Sequence, residues 1–79
     1  MKIEDRIMMT IQSILDKHPV ITLDSRLLED LMVDSLDKLM ILSALEDEFS
    51  IAIAEDDFTD VISVKDIVVK LKARGFSDS

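Results

Sequence analysis

Apolar residues return every three or four positions in three separate stretches, and that spacing constrains the fold more than any other feature of the chain. Ile3, Ile7, Ile11, Ile14 and Leu15 fall on one helical face, flanked by Met8, with Glu4, Asp5, Arg6, Gln12, Asp16 and Lys17 on the solvated side. Leu39, Leu42, Leu45 and Phe49 repeat the pattern and are assigned to the core. Val64, Ile67, Val68 and Leu71 repeat it again. With one Gly, one Pro, no Trp and no Tyr in 79 residues, little turn chemistry or β-favouring aromatic character is left for a sheet. The ends of the helices are also marked. His18-Pro19 closes the first, since a residue before proline is pushed out of helical geometry. Asp34 and Ser63 are good N-caps, and Gly75 a good stop. The expected fold is therefore all-α, a small antiparallel four-helix bundle filling one domain over residues 1–79. Its helices are expected at about 2–17, 35–49, 55–61 and 64–73, the third short and opened by Glu55-Asp56-Asp57, with a frayed tail at 76–79.

Two connections carry further information. Residues 19–34 form a long loop, a length that is unusual in compact domains and often functional. Val20, Ile21, Leu23, Leu27, Leu28 and Leu31 should anchor it, with a turn at Asp24-Ser25. Ile51-Ala52-Ile53-Ala54 reads as a short extended link, after which Phe58, Val61 and Ile62 should face inward. On the second helix, Leu36, Met40, Ser43 and Asp47 gather opposite the core face, bordered by Asp37 and Ala44. Apolar residues on an outward, acid-fringed face make a candidate docking strip. Lys38 sits on the core side but in the first turn, three residues after Ser35 and so beside it.

Charge excludes some functions. Between Glu29 and Asp66 there are twelve acids against two lysines, a net −10, while the rest of the chain has five acids and seven bases, a net +2. Such a surface repels nucleic acid and suits basic protein partners. Without cysteine there is neither a disulfide frame nor a thiolate zinc site. No run approaches the ~20 apolar residues of a membrane span, and Met1-Lys2-Ile3-Glu4-Asp5-Arg6 lacks the apolar core of a signal peptide. A cytosolic monomer with no stable membrane insertion is expected. His18, the only histidine, has no nucleophile or acid set around it and reads as a helix-end residue.

Ser35 is the residue with chemical potential. Following the Asp34 cap, its hydroxyl should stand at the mouth of the second helix, where a phosphate ester would meet free N–H donors and the positive end of the helix dipole. Ser35-Leu36-Asp37-Lys38 also fits the S-x-x-K pair of some serine acyl-transfer enzymes. Those enzymes need further elements and a larger domain to wall off a lysine base, so that reading is set aside. A calcium loop over Glu55–Asp66 fails because its sixth position is Asp60 rather than Gly and Phe58 and Val61 spoil the spacing. No catalytic residue and no metal site is assigned.

Asp34-Ser35-Leu36 after Glu29-Asp30-Leu31 resembles the attachment motif of acyl carrier proteins, and Leu42 with Ala44-Leu45-Glu46-Asp47-Glu48-Phe49 resembles that family's acidic second helix. Ile53-Ala54-Glu55-Asp56-Asp57 and Ser63-Val64 resemble its entries into the third and fourth helices, so the likeness runs over residues 3–75. The resemblance implies a non-catalytic carrier with covalent 4′-phosphopantetheine on Ser35, moved there from coenzyme A by a phosphopantetheinyl transferase. It implies acyl cargo held as a thioester for fatty-acid, polyketide or related synthesis. Partners would be acyl-transfer and chain-modifying enzymes with basic docking patches. Asp34, Leu36, Asp37, Met40, Asp47 and Glu48 would meet them. Apart from the resemblance, the place of Lys38 beside Ser35 makes it a candidate contact for the phosphate. Leu28, Leu39, Leu42, Leu45, Ile53, Phe58, Val61, Ile67 and Leu71 would line a slot for the acyl chain, or serve simply as core. The chain departs from the family pattern where Met32 stands for a usual glycine, Ala54 for a proline, Met40 for a glutamate, Ser43 for a medium apolar residue and Lys38 for a small or neutral one. These departures suggest a dedicated carrier. A peptidyl or aminoacyl carrier is the neighbouring alternative, although its usual glycine–histidine context is missing, and an unmodified acidic helical adaptor is the other.

Overall fold

The computed structural model describes residues 1–15 and 19–77. Three α-helices carry the fold: α1 over Ile3–Ile14, α2 over Ser35–Phe49 and α3 over Val64–Ala73, with a 3-10 turn over Glu55–Phe58 and no strand among the described residues. Ile3, Ile7 and Ile11 lie one turn apart on α1 and are fully buried, so this helix supplies a continuous apolar stripe to the centre. It packs against both α2 and α3. Leu45, Phe58, Val64, Ile67 and Leu71 close the core around it.

The helix ends explain why these segments stop where they do. Asp34 Oδ1 accepts from the N–H of Asp37, and Asp37 Oδ2 accepts in return from the N–H of Asp34, a reciprocal cap on α2. Ser63 and Asp66 make the same box on α3. The first two N–H groups of α3, which have no partner inside the helix, donate outward to the long loop: Val64 to the Ser25 carbonyl at 3.0 Å and Lys65 to the Leu23 carbonyl at 2.9 Å. Leu27 donates to the Ile62 carbonyl at 2.8 Å, and Val33 to the Leu27 carbonyl at 2.8 Å. The loop is thus sewn to the segment ahead of α3, with Ser25 buried at the seam. Beyond α3, Gly75 takes the left-handed conformation, φ +97°, and Phe76 donates back to the Leu71 carbonyl.

Several sequence expectations are corrected. Leu39 is not core: it is 47% exposed, and Ile41, 2% exposed, takes the buried place. At 3.6 residues per turn Leu39 lies about 100° from the mean direction of Ile41, Leu42, Leu45 and Phe49, far enough to leave the packed side. The third helix is a single 3-10 turn ending at Phe58 rather than a helix to 61. Three successive acids start it, and Arg74 holds both Asp57 and the Ala52 carbonyl, which fixes the turn against α3. Val20, Leu28 and Ile62 are exposed, not inward anchors. The α1 helix ends at Ile14, where Leu15 adopts extended geometry; the expected end at His18 lies outside the described residues, as does the tail beyond 77. Phe76 is not frayed. Its ring meets Phe49 edge-on at 5.4 Å, burying apolar surface against the end of α2, and the Arg6 guanidinium stacks 4.3 Å from the Phe49 ring centre.

Two outcomes check this arrangement. Leu45→Ala should cost about 2–5 kcal/mol in chemical denaturation, by cavity formation, whereas Leu39→Ala should cost less than about 1 kcal/mol. The second concerns acid. The Asp66 carboxyl is held below its ordinary value of 3.8, chiefly by the N–H of Ile62 and then by that of Ser63. A lowered folded value stabilises above the unfolded value and is lost as pH falls through the folded one. Wild type should therefore exceed Asp66→Asn in stability by its full margin above about pH 5, and the margin should shrink as pH falls below the ordinary carboxylate range.

Candidate functional site

Ser35 is the first residue of α2 and is exposed. The Asp34 cap and the sewn loop fix it on two sides. Asp34 stands in extended backbone, φ −89° and ψ −174°, which turns the chain sharply from the loop into the helix. Two residues earlier, Met32 is held at φ +56°, the left-handed region, with its side chain 80% exposed. That is the position where the family pattern has glycine, and the backbone shows why: only glycine enters this region without a steric penalty.

A groove of about 560 Å³ opens beside Ser35. Leu27, Leu28, Val33, Val61 and Ile62 give it apolar walls, while Arg26, Glu29, Asp34, Ser35 and Lys38 contribute the polar groups. Three of those four charged groups are already engaged. Arg26 pairs with Glu29, and its Nε and backbone N–H both reach Asp30 Oδ2, at 3.4 and 2.8 Å. The Asp30 carboxyl is held below the usual range first by that backbone N–H and then by the guanidinium. Asp34 is spent on its cap. Lys38 is half-buried and has no carboxylate partner among the described residues.

The candidate docking residues are spread along α2. Leu36 and Met40 are exposed large apolar side chains, as are Met32, Leu28, Leu39 and Ile62, and of these Leu28 and Ile62 line the groove with Ser35. Asp47 is exposed and free of ion pairs among the described residues. Asp34 and Asp37 are tied into the cap. Glu48 is engaged by Arg6, whose Nε lies 3.0 Å from Glu48 Oε2 and whose Nη2 donates to the Glu48 carbonyl at 3.1 Å. Of the nine residues expected to line an acyl slot, Leu42, Leu45, Ile53, Phe58, Val61, Ile67 and Leu71 are buried, Leu28 and Leu39 are exposed, and Leu28 and Val61 reach the groove. Arg26, Leu27, Val33 and Ile62 were not singled out as groove residues by the sequence. The signal present was Arg26 with acids three and four positions on, a local pairing pattern that says nothing about a groove.

The described helices include none long and apolar enough to cross a membrane, and no cluster of candidate metal ligands occurs among the described residues. Comparison with known proteins adds a consistent result. A family model described as a phosphopantetheine attachment site matches residues 5–69. Curated acyl carrier proteins of Rickettsia canadensis and Rickettsia prowazekii are each 38% identical over 74 residues, covering 92% of this chain and 86% of theirs. A solved chain from Mycobacterium tuberculosis, assigned as an acyl carrier protein, superposes with a TM-score of 0.81 at 37% identity, covering 90% of this chain and 96% of that one.

The strain at Met32 gives a direct check. Met32→Gly should raise stability by about 0.5–1 kcal/mol in urea titration, because relief of the left-handed penalty exceeds the added chain entropy of glycine.

Proposed function

The chain belongs to the acyl carrier proteins, non-catalytic carriers with a covalently attached 4′-phosphopantetheine, and from that premise we propose that Ser35 bears the arm. The observation carrying this reading is an exposed serine at the head of a fifteen-residue helix, beside an apolar groove and fixed by a capped, sewn loop. The bound arm supplies a thiol that holds acyl cargo as a thioester. The protein's own part is to present Ser35 Oγ at a rigid corner accessible to a partner's active site. Asp34 Oδ1 accepts the Asp37 N–H at 2.8 Å, so the cap orients this carboxylate at the head of the helix next to Ser35. A phosphopantetheinyl transferase moves the arm from coenzyme A onto Ser35 Oγ.

Partner enzymes of acyl transfer and chain modification would dock on the outward face of α2. Leu36 and Met40 offer apolar contact, and Asp34, Asp37, Asp47 and Glu48 offer acids to a basic patch. Because Glu48 is held by Arg6, a partner must compete for it, whereas Asp47 is available. Met32, Lys38, Met40 and Ser43 distinguish this face from the family pattern and support a dedicated carrier, one for fatty-acid, polyketide or related synthesis. The reading includes a cytosolic monomer, where coenzyme A is at hand as donor.

Incubation with coenzyme A and a broad-specificity transferase should add the mass of one phosphopantetheine, read by intact mass spectrometry, and Ser35→Ala should remain at its starting mass. No gain in wild type, or an equal gain in Ser35→Ala, would overturn the assignment and favour an unmodified adaptor.

A further inference from the structure

We propose that Lys38 is a built-in counter-ion for the arm's phosphodiester, holding the base of the arm over the groove; this rests on attachment at Ser35. Lys38 lies three residues after Ser35, so the two side chains are neighbours on the helix surface. Its direction from the helix axis is that of the packed side, close to the mean of Ile41, Leu42, Leu45 and Phe49. Being in the first turn it escapes the core: it is half-buried and lines the groove shared with Ser35. A half-buried, groove-lining lysine can lay its stem on apolar surface and keep its ammonium in solvent.

What singles Lys38 out is a missing carboxylate partner together with a place in the Ser35 groove. Lys65, the other lysine of the acidic segment, also has no ion pair among the described residues but does not line the groove. Five of the bases outside the acidic segment, Arg6, Arg26, Lys70, Lys72 and Arg74, are paired with carboxylates. Lys38 lies inside that segment yet has no carboxylate partner among the described residues. The nearest acids in sequence are otherwise committed: Asp34 and Asp37 cap each other's N–H groups, and Glu29 is held by Arg26. Arg26, the other cation of the groove, is taken by Glu29 and Asp30. A phosphodiester on Ser35 Oγ places one permanent negative charge in the groove that Lys38 lines, and Lys38 is the groove cation with no carboxylate partner among the described residues. The pair confines the arm at its base toward Leu27, Val33 and Ile62 and away from the exposed Met32–Met40 side. An exposed pair of this kind is weak, so it biases the arm and leaves it free to swing into a partner.

The test uses the holo protein in wild type, Lys38→Gln and Lys38→Arg. Intact mass first establishes that each carries one arm. Phosphorus NMR then reads the phosphodiester, and carbon relaxation reads the geminal methyl groups next to it on a labelled arm. Wild type and Lys38→Arg should share a phosphorus shift that moves as sodium chloride is raised, because screening weakens the pair. Lys38→Gln should show a displaced shift insensitive to salt and faster methyl motion. Equal shifts and equal motion in all three proteins would overturn the role of Lys38 while leaving the carrier reading intact. Absence of any arm by mass would instead remove the carrier reading, and the inference with it.

Discussion

The seam between the long loop and the start of α3 is what the rest of the molecule depends on. A helix begins with N–H groups that have no partner inside it. Here two of them, from Val64 and Lys65, are given carbonyls of Ser25 and Leu23, and Asp66 and Ser63 satisfy the rest by a capping box. The loop gains order in exchange, because its own polar backbone would otherwise be left without partners at a half-buried surface. One more link, Leu27 to the Ile62 carbonyl, brings the two walls of the groove together. Val33, bonded back to Leu27, then delivers the chain to Asp34 and Ser35. The position of Ser35 therefore depends on a set of main-chain hydrogen bonds more than on its own contacts.

That dependence explains which features were legible in the sequence. The ends of α2 and α3 could be read because caps are local: an Asp or Ser followed three residues later by an acid is sufficient. Ser35 could be read because it stands next to such a cap. The choice between Leu39 and Ile41 could not, since both are apolar and the orientation of α2 is set by how α1 and the loop pack on it. Leu28 and Ile62 looked like anchors for the same reason, and their exposure follows from the groove they border. Phe76 was hidden by its place after Gly75; the Schellman-type return to Leu71 brings its ring back onto Phe49. The groove itself joins residues 26–38 with 61–62, and no local pattern reports a meeting across such a separation.

Met32 shows the same backbone logic from the side of strain. A sharp left-handed step is required just before the cap so that the loop can leave its seam and enter α2. Glycine would take it freely, and methionine takes it at a cost of about 1–2 kcal/mol. The side chain gained is long, apolar and exposed beside Ser35. Methionine adapts to irregular surfaces, and Met40 repeats the choice on the neighbouring helix face. A surface that accepts strain in order to present a flexible apolar group supports recognition more readily than stability.

The acidic segment also looks different once its partners are counted. On composition it is a −10 half facing a +2 half. In the fold, bases from outside the segment reach onto it: Arg6 to Glu48, Arg26 to Glu29 and Asp30, Lys70 to Asp60, Arg74 to Asp57. Each pair is exposed and worth little in energy, but each removes a charge from the long-range field. Asp34, Asp37 and Asp66 are occupied as caps, and Glu46 accepts the N–H of Ile53. Asp47, Glu55 and Asp56 are left with no ion pair among the described residues. Net charge thus overstates the acid available for a basic partner and misplaces it. Acids of the segment with neither ion pair nor cap lie toward the far half of α2 and the 3-10 turn. At the groove end Asp34 and Asp37 keep their charge while capping, beside exposed apolar side chains and Lys38, which has no carboxylate partner among the described residues. On the proposed docking face, then, acids steer the approach from one end, and apolar contact around Leu36 and Met40 governs fit beside Ser35.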